Sequence, residues 1–146
     1  MGVGNELNGD DGAGMAVVRA AKRSLGTVDT VLWIEAGPTP ESFSGPVCRF
    51  KPDLLLVIDA ARLDLRPGQI AWVQLEEIDG VSAFTHGLPL SLLAGYIIAE
   101  TGCQFGMLGI QVEQTGFGQP VSAPVVRAVE RVTEALQCFV APWARS

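Results

Sequence analysis

Three side chains that can do chemistry stand where predicted strands end and loops begin. Asp11 lies in an acidic, glycine-rich loop near the start of the chain, and Asp59 ends the apolar run at residues 54–58. His86 is the only histidine and lies in a loop shaped by Gly87 and Pro89. In an open α/β sheet, the loops at the carboxyl ends of the strands share one crevice, where ligands bind. Two carboxylates and one imidazole that converge there can hold a borderline divalent metal ion.

Each of these residues also has an ordinary structural explanation. Asp10 or Asp11 is placed to cap the helix that follows, because a carboxylate there accepts from free amide groups. Asp10 can take that role while Asp11 points into the crevice. Asp59 can cap the segment after its strand, and His86 can simply bond a backbone carbonyl group. Glu35, after the second predicted strand, either supports the crevice residues or is a solvated charge.

Alternating helices and strands position these residues. Hydrophobic periodicity predicts helices at residues 13–25, 90–100 and 124–139, with strands at 30–34, 54–59, 69–75 and 105–112. Gly26 is placed to end the first helix, and a short helix is expected after Pro38. Residues 54–59 are apolar on both faces, as in a strand covered by helices on both sides. We therefore predict one α/β domain over residues 1–146, with three layers and a mostly parallel, twisted sheet.

The first strand of such a sheet is expected to be truncated. The chain begins where that strand ought to be ending, and only Val3 remains of it. Either the true start lies upstream or the sheet lacks a strand that is ordinarily buried. An unpaired buried backbone group costs about 1–3 kcal/mol. We therefore expect residues 1–146 alone to be marginally stable, which a sharp cooperative melt at high temperature would contradict.

Composition and charge exclude several classes of protein. The net charge of −6 argues against nucleic-acid binding, which needs a Lys/Arg surface. No apolar run approaches the roughly 18 residues of a membrane span, and the start lacks the pattern of a secretory signal. The three cysteines are widely spaced, with no CxxC pair, so a thiolate zinc site is not expected. They are typical of reduced thiols in a cytosolic protein.

The sequence also lacks the motifs of other catalytic classes. The segment at residues 2–7 has no third glycine and precedes two aspartates, which argues against dinucleotide binding. No GxSxG motif is present, and no Ser-His-Asp or Cys-His catalytic arrangement can be recognised in the sequence. If the protein is a hydrolase, the remaining chemistry is activation of water by a carboxylate or a bound metal.

Taken in order, several segments resemble the hydrogenase maturation endopeptidases. They span nearly the whole chain, and the ordered set is specific although each segment alone is weak. The matching stretches are residues 4–14, 35–41, 56–60, 67–68, 85–90 and 108–111. The Asp-Asp-Gly-Ala-Gly form at residues 10–14 is most similar to the branch that serves formate-hydrogenlyase-type hydrogenases.

The resemblance implies a phosphorylase/hydrolase-like fold and a specific activity. Proteins of this family remove a C-terminal extension from the precursor of the [NiFe]-hydrogenase large subunit, after nickel has been inserted. By position, the residues that recognise that nickel fall on Asp11, Asp59 and His86. The metal belongs to the substrate, with zinc or cadmium as surrogates. Asp11 and Asp59 are the candidates for assisting attack of water. The resemblance implies an aspartyl-type protease that acts in the cytoplasm, with the precursor as partner and a monomer as its expected state.

Two other functions stay open at this point. A nickel or precursor chaperone would use the same three side chains without cutting, and would leave the precursor mass unchanged. A self-contained zinc hydrolase with a small substrate would carry stoichiometric zinc when purified.

Overall fold

A computed structural model of the protein describes residues 1–83 and 87–144. The strands are β1 (Gly2–Val3), β2 (Glu35–Gly37), β3 (Leu54–Ala61), β4 (Ile70–Val73) and β5 (Gln104–Gln111). The helices are α1 (Ala13–Leu25), α2 (Ser44–Phe50), α3 (Ile78–Val81), α4 (Leu90–Thr101) and α5 (Ala123–Ala144). Single turns of 3₁₀ helix cover Gly9–Gly12, Pro40–Phe43 and Leu75–Glu77. None of the helices in this described part of the chain is long and apolar enough to cross a membrane.

The strands form one sheet in the order β2-β1-β3-β5-β4. β1 runs parallel to both β2 and β3, β3 runs parallel to β5, and only the edge strand β4 is antiparallel. The carboxyl ends of β1, β2, β3 and β5 therefore lie along one edge of the sheet. This arrangement confirms the predicted mostly parallel α/β fold.

Helices cover both faces of the sheet and divide the core in two. On one face, α1 and α5 pack against Ile58 and Ile110. On the other, α2, α3 and α4 pack against Val57 and Met107. Adjacent residues of β3 are thus buried on opposite faces, as the continuous apolar run at residues 54–58 predicts.

Most predicted elements are observed, with two corrections. Residues 30–34 are not a strand: Val28 and Val31 form an isolated bridge around a turn, and β2 begins only at Glu35. β1 pairs with β2 from Gly2 onward, so residues 30–33 have no residue of β1 beside them. The short helix expected after Pro38 is observed as the 3₁₀ turn Pro40–Phe43, but it continues directly into α2, an extension that the glycine and proline within α2 do not favour.

The first strand contains only two residues, yet it occupies the sheet between β2 and β3. Met1 extends its pairing: the terminal amino group donates to the Leu56 carbonyl at 2.8 Å, and the Ile58 N–H donates to the Met1 carbonyl at 2.9 Å. Burial lowers the pKa of that terminal amine to about 5. The expected short first strand is therefore present, whereas the expected marginal stability stays a prediction.

Close backbone contact holds the start of α1 against the sheet. A Cβ atom on Gly14 would lie 2.1 Å from the Ile58 carbonyl oxygen and 2.8 Å from that of Val3. A Cβ atom on Gly2 would likewise lie 2.3 Å from the Gly14 carbonyl oxygen. The glycines let α1 approach β1 and β3 more closely than any side chain would allow. This contact sets the position of the loop that precedes α1.

We expect Gly14→Ala to destabilise the protein by about 1–3 kcal/mol, the usual cost of forcing extra volume into a packed interior. Gly95→Ala is the matched control, because Gly95 also lies within a helix but has open space around its Cβ position. The control should gain up to about 1 kcal/mol from helix propensity. Urea denaturation of both variants measures the difference. Equal effects of the two substitutions would contradict a tight contact at Gly14.

Candidate active site at the carboxyl edge of the sheet

Asp11 lies in the 3₁₀ turn between β1 and α1 and is only 4% exposed. Its Oδ2 atom accepts a hydrogen bond from the Asn5 N–H at 3.0 Å. Its Oδ1 atom is buried without a hydrogen-bond partner in the described part of the chain. Burial raises the pKa of this carboxyl group, while the Asn5 N–H and the positive charge of Arg62 oppose that rise. Asp11 thus keeps one oxygen fixed and the other available.

Asp59 is fully buried in β3, two residues before the strand ends, and is in register with Gly109 of β5. Its Oδ2 atom accepts a hydrogen bond from the Ser82 hydroxyl group. Among the described residues, its Oδ1 atom has no hydrogen-bond partner. Burial raises the pKa of Asp59 to about 7, against the Ser82 hydrogen bond, which lowers it, and with a smaller contribution from the charge of Asp11. The group therefore exchanges a proton near neutral pH.

The two carboxyl groups interact electrostatically. The negative charge of Asp11 contributes to raising the pKa of Asp59, after the larger effect of burial. The structure thus places two of the three predicted site residues, Asp11 and Asp59, close enough at the carboxyl edge of the sheet for their charges to interact.

The third predicted residue, His86, lies outside the described residues. The segment before it runs along the end of β3: Ala83 donates to the Ala60 carbonyl at 2.9 Å, and Ser82 pairs with Ala61 as a bridge. Within residues 1–83 and 87–144, no group of three metal-binding side chains is present. The two orphaned carboxylate oxygens nevertheless fit a divalent cation, since a buried oxygen without a donor is costly until a cation or proton satisfies it.

Asp10 has a different role from the one predicted. Neither Asp10 nor Asp11 makes a side-chain cap for the 3₁₀ turn or for α1. The Asp10 carboxylate is instead fully buried and accepts from Glu113 N–H at 2.7 Å and Gln114 N–H at 2.9 Å, both beyond β5. It also accepts from Ser122 N–H at 2.6 Å and the Ser122 hydroxyl at 2.9 Å. It therefore joins the first loop to the segment between β5 and α5.

Glu35 bonds to neither site carboxylate. Its side chain accepts from Arg19 Nε at 2.9 Å, and Arg19 also bonds Glu6 at 2.6 Å. These groups are 28–47% exposed, so solvent screens the ion pairs and each contributes little to stability. The network links α1, the first loop and β2 at the rim.

Other contributors to this edge were not found from the sequence. Ser82 holds Asp59 from a segment of no regular pattern, so no sequence signal identifies it. Arg62, just after β3, places its guanidinium group near Asp11 and donates to Thr115 Oγ1 at 3.0 Å. Glu41, beyond β2, buries one carboxylate oxygen without a described hydrogen-bond partner.

A cavity of about 560 Å³ lies elsewhere, at the amino ends of β1 and β3. Its walls include Met1, Leu54, Leu136 and Val140. Because Asp11 and Asp59 are at the opposite ends of the strands, this apolar cavity is separate from the candidate site.

We expect Asp59→Asn to stabilise the protein at alkaline pH. The folded-state pKa of about 7 lies above the ordinary value of 3.8, so the folded state holds a proton that the unfolded chain releases. The free energy of unfolding that Asp59 contributes therefore falls as the pH rises from about 4 to about 7, and it does not change further above pH 7. The amide variant should avoid a loss of up to about 4 kcal/mol, the cost of a three-unit shift.

Urea denaturation at pH 4 and pH 8 measures this effect. Asp53→Asn is the matched control, since Asp53 is an exposed aspartate just before the other end of β3. Equal stabilisation by Asp59→Asn at both pH values would contradict an ionisation cost at Asp59.

Comparison with known proteins identifies the family. A family model described as hydrogenase maturation protease matches residues 15–137. The Hydrogenase 3 maturation protease of Escherichia coli K12 is 32% identical over 136 residues, covering 92% of this chain and 85% of the relative.

Solved structures agree. The [NiFe] hydrogenase maturation protease HycI of Thermococcus kodakarensis superposes with a TM-score of 0.87 at 31% identity, over 96% of this chain and 89% of that one. The endopeptidase HycI of Escherichia coli has a TM-score of 0.79 at 30% identity, with 94% and 87% of the two chains covered. The family model, the curated relative and the solved structures agree: the chain is a peptidase of the hydrogenase maturation protease family.

Proposed function

We propose that this protein removes the C-terminal extension from a nickel-loaded precursor of a [NiFe]-hydrogenase large subunit. Asp11, Asp59 and His86 recognise the nickel ion, which arrives as part of the substrate. We further propose that the reaction takes place in the cytoplasm and that the enzyme acts as a monomer. The observation that carries the proposal is the pair of buried, unsatisfied carboxylate oxygens on Asp11 and Asp59.

The chemistry of these oxygens supports recognition of a cation. Each carboxylate has one oxygen held by a hydrogen bond, from Asn5 to Asp11 and from Ser82 to Asp59. The second oxygen of each lacks a donor among the described residues. A divalent ion would satisfy both oxygens and offset the cost of burying the charges. A neutral imidazole from His86 would complete a mixed oxygen and nitrogen set suited to Ni²⁺.

Recognition of a metal held by the substrate gives the enzyme a test of substrate maturity. A precursor without nickel leaves the buried Asp11 and Asp59 oxygens without a cation to satisfy them. Only the loaded precursor gains the attraction between its metal ion and these oxygens, which makes binding and processing depend on the loaded state.

The same carboxyl groups can assist hydrolysis. The oxygen of a water molecule bonds to the carbonyl carbon of the peptide, the C–N bond breaks, and the leaving amine receives a proton. A carboxyl group with a pKa of about 7, as at Asp59, suits both acceptance and return of that proton. Asp11 is the second candidate for this role.

Asp11→Asn, Asp59→Asn and His86→Ala should each lower the rate of precursor cleavage at least about 100-fold, because each removes a ligand or a proton acceptor. Intact mass spectrometry of the nickel-loaded precursor after incubation measures cleavage. Circular dichroism checks that the variants remain folded.

Asp53→Asn again serves as the control and should cleave at the wild-type rate, since its carboxylate is exposed at the other end of β3. Normal cleavage by any of the three site variants would remove that residue from the mechanism. Tight binding of the precursor by the wild-type protein with no change in precursor mass would instead favour a chaperone.

The precursor prepared without nickel should not be cleaved, whereas the loaded precursor should lose its extension under the same conditions. The reason is that the carboxylate pair requires a cation from the substrate. The mass of each precursor after incubation provides the measurement, with elemental analysis of the purified enzyme alongside. Equal cleavage of both precursors, or stoichiometric zinc in the enzyme, would contradict nickel-dependent recognition.

A further inference from the structure

An exposed apolar tip adjoins the candidate active site. Phe117 is 82% exposed and Leu7 is 61% exposed, in the loops that follow β5 and β1. The two loops are bonded to each other, because the Gly118 N–H donates to the Leu7 carbonyl at 2.8 Å. Scattered apolar residues on a surface are common, but two large ones on joined loops beside a site indicate a contact surface.

The Phe117 side chain is presented by a closed turn. Gln119 N–H donates to the Gly116 carbonyl at 3.1 Å, and the Gln119 side chain accepts from Gly116 N–H at 2.6 Å. Gly118 has a positive φ of 76°, as the third residue of a type II turn requires. Phe117 therefore occupies an outer corner of a turn fixed at both ends, which keeps the ring away from the core.

The turn belongs to the same fixed unit as the site. Asp10 bonds Glu113, Gln114 and Ser122, which flank the turn on both sides. Asp10 is also the direct neighbour of Asp11. The position of the Phe117 tip is thus tied through one buried carboxylate to the position of a proposed nickel ligand.

We propose that Phe117, with Leu7 beside it, is the docking contact for the folded precursor protein, inserting into an apolar depression next to the nickel-bearing segment. This inference rests on the proposed function and extends it to the partner surface. An aromatic side chain on a rigid turn loses little conformational freedom on binding, and burying it removes a large apolar surface from water. The tip is joined to the proposed site by two hydrogen bonds, from the Leu7 N–H to the Asn5 side chain and from the Asn5 N–H to Asp11, so a protein bound at Asp11 lies beside it.

Phe117→Ala should raise KM for the nickel-loaded precursor at least about tenfold and leave kcat unchanged, as expected for a contact made equally in the ground state and the transition state. Phe139→Ala is the matched control. Phe139 is 54% exposed on α5 and lines the cavity at the other end of the strands. The control should leave both constants unchanged.

Direct binding of the precursor to wild-type and Phe117→Ala protein, measured by surface plasmon resonance, separates this inference from the proposed function. Wild-type binding without cleavage, weakened by the substitution, would support docking and contradict the proposed proteolysis. Wild-type cleavage with an unchanged KM in Phe117→Ala would overturn docking alone. No wild-type binding would overturn both. A change in self-association of Phe117→Ala by sedimentation, with unchanged KM, would assign the tip to contacts between copies and overturn the inference.

Discussion

The buried Asp10 carboxylate is the interaction on which the geometry of this edge depends. It has no exposed surface and accepts hydrogen bonds from two backbone N–H groups beyond β5 and from both the N–H and hydroxyl groups of Ser122. A buried charge is stable only when such partners replace water. Because these donors come from segments more than 100 residues away in the chain, the carboxylate fixes the first loop relative to the start of α5. Asp11 can then occupy a defined place without making that connection itself.

A second constraint acts from the other side of the same loop. Gly14 brings α1 against the carbonyl groups of Ile58 and Val3, at distances where no Cβ atom fits. Gly4 has a φ of 128°, and a Cβ there would lie 1.9 Å from the Asp11 carbonyl oxygen. The first loop is therefore held between a helix that touches the sheet backbone and a carboxylate that ties it to α5. The spacing of glycine and aspartate at residues 4–14 is therefore explained by backbone packing and by the hydrogen bonds of Asp10, independently of any catalytic role.

The sequence predicted the parts of this structure that periodicity and position encode. α1 begins and ends at the predicted residues, and Asp11 and Asp59 were placed at one edge because strand ends converge in parallel sheets. It allowed for a structural Asp10 beside a site residue Asp11, but it could not predict what Asp10 binds. The expected helix cap is absent, and the donors come from residues 113–122, which approach Asp10 only in the folded chain. Ser82 was missed for the same reason: its bond to Asp59 depends on a bridge to the end of β3 that no local pattern signals.

Three buried aspartates in one structure illustrate how partners decide the role of a carboxylate. Asp10 is saturated with donors, so it can stabilise the fold but has no free oxygen for a ligand. The Asn5 N–H holds Asp11, and the Ser82 hydroxyl holds Asp59. Each of the two acids keeps one buried oxygen without a described hydrogen-bond partner, and burial raises the pKa of both. An apolar or amide residue would be more favourable at those positions for folding alone. The protein nevertheless keeps Asp11 and Asp59, each with an unsatisfied oxygen, beside the fully hydrogen-bonded Asp10. This pattern is expected where folding stability is lost in favour of a function, here one in which a ligand supplies the missing positive charge.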